Sequence, residues 1–174
     1  MRRTSGLLLL LVLGLSVNAQ TTVSPANLNG WTLSASSTAA TGFQAGPATP
    51  PLGIGSGRMS VGADGNGASQ FRTSLYNGML MSSMTALSYS TFVQQTGSGG
   101  QAPYIILNLD YDNNGTNDDL LFYEPVYQSA TFCPSNPSGP QADGVWQTWN
   151  AFAGCWYSVF GTAGSGPGTN TMPL

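Results

Sequence analysis

The sequence predicts an all-β fold, an antiparallel β-sandwich of jelly-roll or Greek-key type, on three observations. Glycine and proline number 23 and 11 among 174 residues, and helix interiors reject both. Several short runs alternate apolar and polar residues at period two, and no window carries a convincing helical period. Clusters of Gly, Asn, Asp, Ser and Pro separate those runs at the spacing of an all-β domain. Two sheets whose inner faces take the alternating apolar residues are the expected architecture, with a closed barrel as the alternative. There is no repeat of fixed period, which disfavours a propeller or a solenoid.

The elements follow in order. Residues 31–33, Trp-Thr-Leu, read as the first strand. Residues 42–57 hold Gly46-Pro47, Pro50-Pro51, Gly53, Gly55 and Gly57, a composition expected to lie as an extended surface loop pegged by Phe43, Leu52 and Ile54. Residues 58–61 and 69–76 flank Asp64-Gly65 and Asn66-Gly67, which supply the positive φ of a hairpin turn. In 86–93, Leu87, Tyr89, Thr91 and Val93 share a face; in 104–109, Ile105, Leu107 and Leu109 do. A polar loop, 94–101, joins these two strands. Residues 120–124, 145–152 and 156–160 bring the expected total to eight or nine strands.

The first residues point to export. Arg2 and Arg3 precede an apolar run from Leu7 to Leu15, and Val17-Asn18-Ala19 then offers small residues for cleavage after Ala19, the pattern of a secretory signal peptide. A bilayer-spanning helix needs about 20 apolar residues, so no transmembrane segment is expected. The expected organisation is a signal peptide at 1–19, a mobile lead-in at 20–29 and a β-sandwich domain at 30–160. Residues 161–174 then form a Gly/Pro/Thr-rich tail or the cut end of a longer protein. The exported chain keeps Arg58 and Arg72 against six Asp and one Glu, a net charge of −5. Nucleic acid and anionic lipid headgroups, which need clustered cations, are therefore poor partners.

Export also sets the reading of the only two cysteines, Cys133 and Cys155. An oxidising compartment favours a disulfide between them, worth about 3 kcal/mol for a loop of this length in the chain-entropy account. Two buried free thiols are the alternative. A zinc site is improbable because the chain has no histidine.

The most informative segment is 110–118, Asp-Tyr-Asp-Asn-Asn-Gly-Thr-Asn-Asp. Oxygen donors fall at positions 1, 3, 5 and 9, with glycine at position 6, as in calcium loops of the D-x-[DN]-x-[DN]-G type. Asp110, Asp112, Asn114 and Asp118, with the carbonyl of Thr116, would suit Ca²⁺. Leu121 stands where an EF-hand carries its bidentate Glu, and both flanks are strand-like. The loop resembles the calcium-binding β-hairpin loops of FG-GAP repeats in integrin-α-type proteins and, less closely, thrombospondin type 3 loops. That resemblance covers Asp110 to Leu120 and implies an ion held between two strands; the propeller of those families does not carry over to a chain with one such loop. A plain Asn/Asp-rich hairpin turn is the alternative. Asn114-Gly115-Thr116 is also a formal glycosylation sequon, and a glycan on Asn114 would conflict with ligation.

A wider similarity runs from Trp31 to Tyr157. Gly46-Pro47, Pro50-Pro51-Leu52-Gly53, Leu87-Ser88-Tyr89-Ser90-Thr91, Asn108-Leu109-Asp110 and Trp146-Gln147-Thr148-Trp149 are similar to a class of secreted bacterial β-sandwich modules, lectin-like in outline. No activity comes with that similarity. Trp146 and Trp149 are three apart and so point to opposite faces of a strand, one to the core and one to solvent. An exposed aromatic ring beside Gln147 and Asn150 would suit a sugar, the ring covering the pyranose and the amides taking its hydroxyls. Packing around the core and the disulfide is the plainer reading of the same aromatics.

Enzymatic chemistry is poorly provided for. With no His and no Lys, the commonest general bases and Schiff-base chemistry are absent, and no serine sits in a G-x-S-x-G elbow. A glycoside hydrolase built on Glu124 and Asp143 is the one catalytic reading the composition allows. The leading expectation is a secreted, calcium-stabilised binding or adhesion module for polysaccharide or glycan. A structural surface or matrix protein that packs against copies of itself is the second.

Overall fold

The computed structural model of the chain describes residues 21–95, 100–135 and 137–160, and the backbone of a two-residue strand at 172–173. The signal peptide expected at 1–19 lies outside the described residues, as does most of the tail at 161–174. Among the described residues ten strands form: β1 Trp31–Ala35, β2 Ala40–Ala45, β3 Gly55–Ser60, β4 Ser69–Thr73, β5 Ser88–Phe92, β6 Ile105–Leu109, β7 Asp119–Tyr123, β8 Trp146–Asn150, β9 Cys155–Ser158 and β10 Met172–Pro173. Two single 3₁₀ turns, Met81–Ser83 and Pro125–Tyr127, are the helical elements among the described residues. The protein is all-β, built of small antiparallel sheets: β1–β4, β2–β3, β5–β8 and the four-stranded β10–β9–β7–β6. No helix among the described residues is long and apolar enough to cross a membrane.

The first half corrects two sequence expectations. Segment 42–57, expected as a loop, is instead most of the β2–β3 hairpin, with Phe43 opposite Gly57 and Gly46 N–H closing the turn on the Ile54 carbonyl. Its glycines act as close-approach residues: a Cβ on Gly57 would come 2.8 Å from the Phe71 ring, and one on Gly55 2.9 Å from the Gln44 carbonyl. The ring of Phe71 on β4 meets Phe43 edge-on at 5.6 Å, joining the two small sheets.

Conversely, the hairpin expected across 63–67 does not form, because β3 pairs with β2 while β4 pairs with β1. The segment still turns, with Asp64 accepting the Asn66 N–H. The Thr38 hydroxyl also donates to Asp64, so the turn is fastened to the β1–β2 corner and carries the chain from one sheet to the other. Within the segment expected as a lead-in, Ser24 and Asn27 exchange backbone hydrogen bonds.

The second half holds the core. Leu121, Tyr123, Trp149, Ala151 and Trp156 are buried together, and Leu87, Tyr89, Ile105, Leu107 and Leu109 pack against them. These include the inward residues that alternation assigned to 86–93 and 104–109. Trp149 lies 1% exposed and donates its indole N–H to the Thr91 hydroxyl at 2.8 Å; Trp156 donates to the Ala151 carbonyl. Each buried indole therefore keeps a hydrogen-bond partner, as burial of a polar group requires.

Cys133 and Cys155 form the expected disulfide, with Cα atoms 5.5 Å apart. Beside it the buried Gln128 amide donates to the carbonyls of Glu124 and Cys155 and accepts the Cys155 N–H, which fixes the 3₁₀ turn to β9. A terminal strand appears where none was expected: Met172 and Pro173 pair with Trp156 and Cys155.

Candidate metal centre

The acidic segment is the tip of the β6–β7 hairpin. Leu109 pairs with Asp119, and the Asp118 N–H donates to the Leu109 carbonyl at 2.7 Å, so the loop closes on itself where the strands end. Asn113 and Gly115 take positive φ, 56° and 86°, which curls the intervening backbone and turns its N–H groups inward. Gly115 suits that conformation for want of a Cβ, and Asn is among the side chains that tolerate it.

The curl brings three carboxylates together. One ligand oxygen from each of Asp110, Asp112 and Asp118 lies within 4.8 Å of the others, and all three residues are exposed. Each is also oriented by the loop. Asp110 accepts the N–H groups of Asn114 at 3.1 Å and Gly115 at 2.8 Å; Asp118 accepts the Tyr111 N–H at 2.6 Å. The Gly115 N–H, followed by those of Asn114 and Asn113, holds the Asp110 carboxyl below the usual carboxylate range.

Asn114 and Thr116 belong to the same curl. Asn114 donates its amide to Asp112 at 2.9 Å and accepts the Thr116 N–H at 2.7 Å. Both residues are exposed on the loop, and the Asn114 side chain is occupied with the loop itself. The charged donors that converge are three hard anionic oxygens, the type preferred by Ca²⁺ and Mg²⁺.

Sequence reasoning missed the residue beneath the loop. Asp119 is fully buried. Its carboxylate accepts the Ser158 hydroxyl at 2.6 and 2.7 Å, the Leu120 N–H at 2.7 Å and the Tyr111 hydroxyl at 3.0 Å. Tyr111 belongs to the loop and Ser158 to β9, so Asp119 ties the tip to the sheet. Its phase was the available signal: 119, 121 and 123 alternate onto the inner face of β7.

The expected sugar-binding set divides between two faces. Trp149 faces the core and offers no ring to a ligand, which removes it from that role. Gln147 shares its face; its amide is spent on the Ala142 N–H and the Pro140 carbonyl. Trp146 and Asn150 point the other way. The half-buried Trp146 ring lies 5.7 Å from Phe92 and donates to the Pro47 carbonyl, while Asn150 is exposed and accepts the Ala153 N–H. Between them the Ser90 and Thr148 hydroxyls bond each other at 2.8 Å.

The two carboxylates considered for catalysis are engaged with different neighbours. Tyr157 donates its hydroxyl to Glu124, and the Gln141 amide donates to Asp143. Burial first, and then the hydrogen bond to Glu124, push the Tyr157 phenol well above its usual range. Compared with known proteins, the chain matches no family model, no curated protein and no solved structure.

Proposed function

We propose that the chain is a secreted β-sandwich module whose β6–β7 tip is held by a divalent cation, with calcium preferred, and which binds carbohydrate. The observation that carries this reading is the convergence of Asp110, Asp112 and Asp118 at an exposed tip whose base is tied into the sheet through Asp119. Three like charges so close repel one another unless a cation lies between them. The lectin-like sandwich would set β5–β8 against the four-stranded sheet across the shared core, like two facing layers. The sugar-facing surface would be the outer side of β5–β8, where Trp146 and Asn150 flank the Ser90 and Thr148 hydroxyls.

Calcium titration of the purified protein tests the ion. At 100-fold excess over its Kd, a ligand of the native state adds about 2.7 kcal/mol. For a chain of this size that raises Tm by roughly 5–10 °C. EDTA should reverse the gain, and Asp112→Asn should blunt it. A Tm indifferent to calcium in the native protein removes the ion from this account.

A self-associating structural protein is the second reading, and the apolar exposure of the first half favours it. Ile54, Leu52 and Leu80 are 92%, 77% and 71% exposed, large apolar side chains that self-association would cover. Concentration-dependent assembly without sugar binding would select it.

A further inference from the structure

The outer side of the four-stranded sheet carries a second chemical feature, remote in sequence from the β8 residues. Along β6 and β7, Ile106 stands opposite Phe122, and Phe122 stands opposite Tyr157 on β9. The Phe122 and Tyr157 rings stack at 5.3 Å and 14°, and Tyr104 continues the row at 6.1 Å and 31°. Tyr127 closes the far end, edge-on to Tyr157 at 5.9 Å. Tyr104 and Ile106 are the open members, 45% and 42% exposed. The result is a row of rings across strands, stacked on one another at Phe122 and Tyr157 and open to solvent at Tyr104.

Glu124, the only glutamate of the chain, directly follows β7 beside this row. One carboxylate oxygen, Oε1, accepts the Tyr157 hydroxyl. Among the described residues no hydrogen bond reaches Oε2 and no ion pair reaches Glu124. The two cations of the described chain, Arg58 and Arg72, belong to β3 and β4 in the other sheets. The charge is felt locally, since it helps raise the phenols of Tyr104 and Tyr157, after burial in both cases. A half-buried anion without a counter-ion, set among π-faces, complements a cation with an apolar body.

We propose that this row is a subsite for a protonated amino sugar. The ammonium would pair with Glu124 Oε2, and the pyranose would lie on Tyr104. Tyr104, 45% exposed at the open end of the row, offers a single ring for the apolar face of a sugar, whereas a compact quaternary ammonium is held by several rings arranged as a cage. The inference rests on the carbohydrate reading above and adds to it a charge preference and a place.

The test compares a fully deacetylated glucosamine tetramer with its N-acetylated counterpart by calorimetry at pH 6 on the full-length protein. The amine form should bind about tenfold tighter, the size expected of a charge-assisted contact. Glu124→Gln, which keeps an acceptor for Tyr157, should erase that preference, and Tyr104→Ala should weaken both sugars; far-UV circular dichroism verifies the fold of each variant. Asp64→Asn makes the same charge change on an exposed turn and should leave the preference intact. Equal affinity for the two tetramers overturns the proposal, as does a preference that survives in Glu124→Gln or falls equally in Asp64→Asn. If neutral sugars bind while the amine gains nothing, the carbohydrate reading stands and this subsite falls; if no sugar binds, both fall.

Discussion

The two halves of the chain are both made of antiparallel strands, yet they are held together differently. The β1–β4 and β2–β3 pairs meet through glycines lying flush on a neighbour and one edge-on contact, Phe43 against Phe71. Among the described residues the buried apolar side chains, Pro50 apart, run from Val93 to Tyr157 in the second half. That half adds a disulfide, a buried glutamine bonded to backbone and a row of packed aromatics. Strand pairing alone therefore does not decide where stability lies. Buried apolar area does, at about 25 cal/mol per Å², and it is concentrated where β5–β8 meets the four-stranded sheet.

The sharpest way to break this comparison is to truncate one ring in each half. Trp149→Ala should cost about 3–5 kcal/mol in denaturant unfolding, the usual range for emptying a buried aromatic site. Its loss also leaves the Thr91 hydroxyl without its indole partner. Phe43→Ala, at a half-buried site, should cost roughly 1–2 kcal/mol because surrounding water and side chains refill the space. Equal costs would mean that the first half has a core of its own.

Glycine substitutions come next in size and sharpen the same contrast. A Cβ at Gly154 would fall 2.2 Å from the Tyr123 ring, which is fully buried and cannot retreat. Gly154→Ala should therefore destabilise by about 1–3 kcal/mol, the cost of overpacking a filled core. Gly57→Ala meets the far end of the Phe71 ring, at 2.8 Å. That ring is only half-buried and has room to swing, so a cost under about 1 kcal/mol is expected. Thermal melts of the two variants, run side by side, read the difference directly.

What was legible in the sequence follows the same division. Alternation found the inner faces of β5 and β6 because each buries one side against a real core, and period two is the imprint of such burial. In the first half that imprint is weak. Gly55 and Gly57 read as loop punctuation when they are the residues that let β3 lie close to its neighbours. Asp64-Gly65 read as a hairpin because its local chemistry is that of a turn; the link from Thr38 to Asp64 that redirects it spans 26 residues and leaves no local trace. At the candidate metal centre, spacing alone located Asp110, Asp112 and Asp118. The engagement of Asn114 with the loop backbone is a rotamer outcome, invisible to a pattern. Trp149 and Trp146 were separable by phase, but which of them faced the core depended on the partner strand, β5, which lies far away in sequence.

The smallest expected effect is on pH dependence, and it separates the buried phenols of the second half from the exposed carboxylates by sign as well as size. Tyr89, Tyr104, Tyr123 and Tyr157 have phenols raised above 10.0, chiefly by burial, and all lie in the second half. A raised acid stabilises the fold below its unfolded value and loses that contribution as pH climbs toward and through the folded one, so Tm should fall above about pH 10. Tyr157→Phe should flatten part of that fall. The lowered acids behave oppositely. Asp64, held down first by the Asn66 N–H, and Asp110, held down first by the Gly115 N–H, stabilise above 3.8 and cease to do so as pH drops through their folded values. Both are fully exposed, so solvent screening keeps the acid limb shallow. Melts from pH 2 to 12 should therefore be asymmetric, with a steep alkaline arm that belongs to the packed half. An acid arm as steep as the alkaline one would mean that carboxylates, and not buried rings, set the titration of the fold.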